Sequence, residues 1–288
     1  MVLSEKSVLP DPFDRILSVG DKDESVPILK HLLCRSDDSS CDHDAFDDTF
    51  DNQTKIDLAR FQKDNNLRET DGVLNAESAS LLLSMYGEDG YVDDGRSAKE
   101  IGYLYKILIP VHRNRSIETT ATFLDSENNV LFRFPVRTKG HESDSNGRGI
   151  SGVPWPDFNN TGNGLNEFSN SGMTVTGLVE IDLNTKESNN TLYGPYPVNR
   201  FVKGLRGNAA FLIPLHRNGI LIHTGEWPNW IPGDSMPNSA GCVHTWPSYV
   251  KKIWQTAVSL GIVVRKNTNG QLPYPYKPQG IASVFTVV

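Results

Sequence analysis

The chain reads as a multi-domain α + β protein: a small three-helix N-terminal domain followed by a mostly β domain with one prominent helix. Two features of the sequence point there. Apolar residues recur at helical spacing through the first third, then alternate beyond residue 102. Between the two regimes lies GEDGYVDDGRSAKE, a Gly- and Asp-rich stretch with the composition of a linker. The expected boundaries are 15–88 for the helical domain, 89–101 for the linker and 102–288 for the β domain.

In the first domain, Val26, Leu29, Leu32 and Leu33 lie on one helical face. A polar, acidic loop follows, RSDDSSCDHDAFDD. Asp51 then caps a second helix that offers Ile56, Leu58, Phe61 and, just past it, Leu67 for burial. A turn at Asp71–Gly72 leads to a third helix capped by Asn75, with Ala79, Leu82 and Leu83 facing inward. The run Asp42, Asp44, Asp47, Asp48, Asp51 lacks the Gly and terminal Glu of an EF-hand loop, so a solvated acidic loop is expected.

In the second domain, Tyr103, Tyr105, Ile107, Ile109 and Val111 share one strand face, and TTATFLDSENNVLFRFPVR reads as a hairpin turning at Asp125–Asn129. MTVTGLVEIDL, AAFLIPL and GILIH read as further strands. Residues 140–172 form a long Gly/Asn/Ser stretch expected as a surface loop. The prominent helix starts at Pro247, buries Val250, Ile253, Trp254 and Ala257, and stops at Gly261.

At 288 residues with 38% hydrophobic and 22% charged residues, the chain has the composition of an ordered globular protein. A net charge of -7 without any basic run excludes a nucleic-acid backbone as partner. No apolar stretch is long enough to span a bilayer. The N-terminus has neither a basic nor an apolar leader region, so no signal peptide is expected and localisation stays open. Three cysteines leave one thiol without a partner: either all three are reduced, or Cys34 and Cys41 pair and Cys242 is free.

The segment richest in chemistry is GILIHTGEWPNWIPGDSMPNSAGCVHTW. A strand ends at His223, and a Gly/Pro/Trp-rich loop leads to Ser239-Ala240-Gly241-Cys242. Acyl transfer by a thiol needs a base and donors for the oxyanion. A Gly before the nucleophile lets the backbone turn tightly and present N–H groups. Taken as residues alone, one Cys and one His near each other are ordinary. A zinc site from His216, His223, Cys242 and His244 is the other chemistry these residues allow, but their spacing fits no usual structural zinc pattern.

This segment resembles the signature of the L,D-transpeptidase (YkuD-type) catalytic domain: a His, a spacer, then Ser/Thr-His-Gly-Cys, an apolar residue, and Asn or Arg. Here fifteen residues separate His223 from Ser239, and Ser239, Gly241, Cys242 and Val243 match in place. Ala240 stands where the family has His, and His244 where it has Asn or Arg. Thr174-Val175-Thr176-Gly177 resembles the family's Thr-Pro-x-Gly segment without its Pro. In the N-terminal third, Phe50-Asp51, Thr54, Phe61-Gln62, Leu67, Asp71-Gly72 and Ser78 are similar to the motif of a small three-helix peptidoglycan-binding domain.

The resemblance implies a sandwich-like catalytic domain, with Cys242 as nucleophile and His223 as base. It gives supporting or oxyanion roles to Ser239, Ala240, Gly241 and His244, and a cleft walled by Trp227 and Trp230. The implied substrate is peptidoglycan or a muropeptide, which means cell-envelope or extracellular action. The implied reaction is L,D-transpeptidation, or L,D-carboxypeptidase hydrolysis with water as acceptor. No cofactor or metal is expected, and a monomer is expected. The alternative is a catalytically impaired peptidoglycan-binding protein.

Overall fold

The structure, a computed structural model, describes residues 9–37, 46–141, 164–227, 231, 233–268 and 271–287. The chain divides into two compact units between Glu88 and Asp89.

The first unit holds three helices, α1 (Val26–Ser36), α2 (Asn52–Asp64) and α3 (Ala76–Tyr86). Asp51 caps α2 by accepting from the Thr54 amide at 2.7 Å. Asn75 and Ser78 form a reciprocal capping box at the start of α3. Leu17, Val26, Leu29, Leu32, Phe50, Leu58, Leu74, Ala79 and Leu82 are fully buried and make the core. Gln62, also fully buried, clamps the turn between α2 and α3: its amide donates to Val73 O at 2.8 Å and its carbonyl accepts from Gly72 N at 3.0 Å. Gly72 has φ +74°, and a Cβ there would press on the Lys55 carbonyl. Ile56 departs from expectation. It is 58% exposed, because the inward stripe of α2 runs through Thr54, Leu58, Phe61 and Gln62 instead. Leu83 and Leu67 are half-buried.

The second unit is one eight-stranded sheet, in the order β3-β2-β1-β8-β4-β5-β6-β7. Its strands are β1 (Tyr105–His112), β2 (Thr119–Asp125), β3 (Val130–Val136), β4 (Gly177–Asn184), β5 (Val198–Arg206), β6 (Leu221–His223), β7 (Val243–His244) and β8 (Gly280–Val287). Pairing is antiparallel except between β1 and β8 and between β6 and β7, which are parallel. The two edges meet: Arg137, just past β3, and His244 in β7 exchange two backbone hydrogen bonds of 3.0 Å. The sheet therefore curls towards a barrel and removes its own free edge there. Short helices α4 (Asn190–Tyr193) and α5 (Asn208–Leu212) lie on either side of β5 in sequence, and α6 (Pro247–Ser259) follows β7.

Tyr105, Ile107, Ile109 and Val111 are all fully buried, as their alternation predicts. Tyr105 begins a row of rings running through Phe123, Phe132 and Phe134 to Tyr249 of α6, with successive centroids 5.3 to 6.2 Å apart.

Two sequence expectations need correction. AAFLIPL is not a strand: its first half is the one-turn helix α5, ended by the cis Ile213–Pro214 peptide. A short apolar run is buried equally well either way, and here Ala209, Phe211 and Leu212 are buried from a helical turn. The second correction concerns residues 89–101, which pack within the second unit rather than hanging free. Asp89 accepts from Asn208 N at 2.6 Å, and Tyr91 bonds Ser283 at 3.0 Å. The buried Lys106 ammonium donates to Asp93 and to Arg96 O, each at 2.8 Å. Most of the 140–172 stretch lies outside the described residues.

Candidate active site

β6 and β7 run side by side with Ile222 opposite Val243 and His223 opposite His244. That register sets Cys242, the residue before β7, level with Leu221. Its Sγ lies 3.3 Å from Leu221 N and 3.7 Å from Gly219 O. Alternation then places Leu221 and His223, and Cys242 and His244, on one face of the sheet. Contacts bear this out. Tyr193, at the end of α4, packs against the cluster of Val198, Leu221 and Cys242, and its ring stands 5.1 Å from that of His223. The His223 and His244 rings meet edge to face at 4.7 Å, and Trp227 lies 5.2 Å from His244.

Each imidazole is oriented by a backbone carbonyl. His223 Nδ1 lies 2.6 Å from Thr224 O, and His244 Nδ1 lies 2.8 Å from Pro237 O. A carbonyl only accepts, so Nδ1 carries the proton in both rings and Nε2 keeps its lone pair. Burial lowers His223 to about 4, with the Thr224 carbonyl opposing, so this ring is neutral at neutral pH. His244 is pushed down by burial first and by His223 second. Burial also lifts the Cys242 thiol to about 11, against the Leu221 N–H and the Arg200 and Arg217 charges, which lower it. The resting site is a neutral thiol beside neutral imidazoles, and no hydrogen bond joins Sγ to His223 among the described residues.

The turn before Cys242 is built tightly. Gly241 has φ +103°, and a Cβ there would lie 2.0 Å from Arg217 Nη2. Ser239 Oγ donates to Cys242 O at 2.5 Å, so its hydroxyl faces the Cys242 carbonyl. The same carbonyl receives Thr174 Oγ1 at 3.4 Å, which brings the Thr174–Gly177 segment beside Cys242. The amides of Ala240 and Gly241 donate to nothing among the described residues. Sequence reasoning missed Arg217. Buried, it donates to Glu167 O at 2.5 Å, Met173 O at 3.2 Å, Ala240 O at 3.3 Å and Gly172 O at 3.4 Å, tying the loop before β4 to the turn before Cys242. A lone Arg in a loop carries no motif that would have flagged it. Tyr193 was missed for the same reason.

Trp230 lies outside the described residues, as does Cys41. Cys34 is disulfide-bonded, and Cys242 is the free thiol among the described residues. The His216 ring lies tilted against Phe211 with centroids 4.6 Å apart, and no group of three or more His, Cys, Asp or Glu side chains suited to a metal occurs among the described residues. No described helix is long and apolar enough to cross a membrane.

No family model matches this chain. No curated protein matches it. Among solved structures, the chain is similar to an L,D-transpeptidase from Xylanimonas cellulosilytica at 13% identity, covering 95% of this chain and 98% of that one, with a TM-score of 0.28. It is also similar to Bdellovibrio bacteriovorus Bd1075 at 15% identity, covering 66% of this chain and 50% of that one, with a TM-score of 0.34. Function therefore has to be drawn from this chain's own residues.

Proposed function

We propose that the second unit is a cysteine acyltransferase of the L,D-transpeptidase type acting on peptidoglycan stem peptides, with Cys242 as nucleophile and His223 as base. The observation that carries this is the common face of Cys242 and His223 on adjacent parallel strands, with the His223 proton fixed on Nδ1. Its Nε2 lone pair is thereby left to accept a proton.

In the first half-reaction Sγ bonds to the carbonyl carbon of the L-centred third residue while His223 Nε2 takes the thiol proton. The C–N bond to the following D-residue breaks, and the proton passes to the leaving amine. Burial raises the Cys242 thiol and lowers the His223 imidazole, so thiol-to-imidazole proton transfer is unfavourable in the resting site. Proton transfer is thus coupled to attack rather than completed before it. The amides of Ala240, Gly241 and Cys242 hold the oxyanion, each worth on the order of 3 kcal/mol. In the second half-reaction an acceptor amine takes the acyl group to make a crosslink, or water takes it and trims the stem. His244 occupies the place of the family's Asn or Arg and contributes recognition, and Trp227 walls the cleft. The first unit is read as a peptidoglycan-binding-like module; Gln62 clamping Gly72–Val73 supports that fold.

A second reading, a catalytically impaired peptidoglycan-binding protein, is favoured by one observation: Sγ contacts the backbone of Gly219 and Leu221 and makes no hydrogen bond with His223 among the described residues. Incubation with a thiol-reactive carbapenem followed by intact mass separates the two. An adduct on Cys242, absent in Cys242→Ala, together with crosslinked or trimmed products from a disaccharide-tetrapeptide, supports the enzyme. No adduct and no product supports the binding protein.

A further inference from the structure

On the face that carries Cys242, β5 contributes a buried guanidinium whose donors are not all engaged. Arg200 stands opposite Leu221, which is level with Cys242, and Val198, two residues before Arg200, packs against both. Arg200 is 5% exposed. Its Nη2 donates to Glu187 Oε1 at 2.6 Å and to Asn267 Oδ1 at 2.9 Å. A guanidinium has five N–H donors. Two are used, which leaves the Nε–H and both Nη1–H groups without a partner among the described residues, and Nε is shielded from solvent as well.

Other buried atoms without partners gather in the same patch: Asn184 Oδ1, Arg265 Nε and Thr268 Oγ1. Asn184 sits opposite Val198, Arg265 bridges to Asn184, and Thr268 follows the Asn267 that holds Arg200. Asp182, opposite Arg200 on β4, is already bonded by Tyr274 and Gln279. The patch therefore holds two guanidinium Nε–H groups and a hydroxyl that donate to nothing among the described residues, against one unpaired acceptor, Asn184 Oδ1. Buried donors are rarely left so, and each orphaned one costs about 1–3 kcal/mol, more when charged. The acceptor that suits a guanidinium edge is a carboxylate.

We propose that Arg200 is a specificity residue that binds a free carboxylate of the peptide whose acyl group Cys242 takes. This rests on the acyl-transfer reading of the site. Two carboxylates of such a peptide lie near the scissile bond: the C-terminal one on the departing residue, and a side-chain one on the residue that supplies the carbonyl. Arg200 acts on the sulfur's surroundings too. After burial, which raises the Cys242 thiol, and the opposing Leu221 N–H, the Arg200 charge is the next influence on it.

The test is peptide binding to Cys242→Ala by calorimetry, using a tetrapeptide stem with free carboxylates and versions with one carboxylate at a time made an amide. Amidation of one of the two should weaken binding by about tenfold or more, and the position that matters identifies the source. In Cys242→Ala carrying Arg200→Gln and Glu187→Gln together, which keeps the buried pair neutral and close in shape, the free and amidated peptides should bind alike. Amidation that weakens binding equally in both backgrounds, amidation without effect in either, or absence of peptide binding to Cys242→Ala would each overturn the inference. Carbapenem acylation of Cys242 in the unaltered protein reports separately on the acyl-transfer reading, so the two failures are distinguishable.

Discussion

Burial governs the chemistry of individual residues here. With Cys242 held near 11, the thiolate is about one part in a thousand at pH 8. Iodoacetamide should therefore label the Cys242 peptide of the folded protein roughly two orders of magnitude more slowly than that of the denatured protein at the same pH, as read by mass spectrometry. Comparable rates would mean that the thiol is activated in the resting state. The buried imidazoles give a matching stability profile. His223 lies near 4 when folded against an ordinary 6.5, so its contribution is present above pH 6.5 and is lost as pH falls towards 4. The loss is on the order of 3 kcal/mol for this one group. Chemical denaturation at pH 7 and pH 4.5 should show a steep acid arm, and His223→Gln should flatten it. Gly241→Ala should cost about 1–3 kcal/mol in the same assay, since φ +103° strains any side chain and the new Cβ meets Arg217.

Short elements are held by tertiary contacts rather than by their own propensity. β7 is two residues long and has a partner on each side: β6 on one, and the Arg137 backbone on the other. The segment before β1 is similarly dependent. Lys106 is 2% exposed, and Asp93 is the carboxylate that meets its charge. Asp93→Ala should cost about 3–5 kcal/mol, because it strands a buried ammonium with only the Arg96 carbonyl for company. Lys106→Met in the Asp93→Ala background should restore most of the loss. If Asp93→Ala unfolds at the unaltered midpoint, residues 89–101 are not anchored through this pair.

At the scale of the whole chain, the two compact units meet between Glu88 and Asp89, and each has its own buried core. A fragment ending at Glu88 should melt cooperatively by circular dichroism, and Leu58→Ala should lower its stability by about 2–5 kcal/mol, removing a fully buried side chain. A non-cooperative melt would count against independent folding, which is marginal for a unit this small.

How much of this was legible in the sequence varies by element. The helices of the first unit, their caps at Asp51 and Asn75, the strand face of Tyr105 to Val111 and the Pro247 helix all follow from local periodicity and capping chemistry, which act over a few residues. β5 and β8 did not stand out. β5 buries Asn199 and Arg200 among its apolar residues, which erases its alternation. β8 sits between β1 and β4, a place fixed by pairing with strands distant in sequence. The candidate site divides the same way. Cys242, His223 and the left-handed turn at Gly241 are visible as residues and spacing. Their common face, the carbonyls that fix both imidazole tautomers, and the nearby Arg200, Arg217 and Tyr193 were decided by the tertiary structure alone. Strand register and burial are properties of the closed sheet, and no local stretch of chain encodes them.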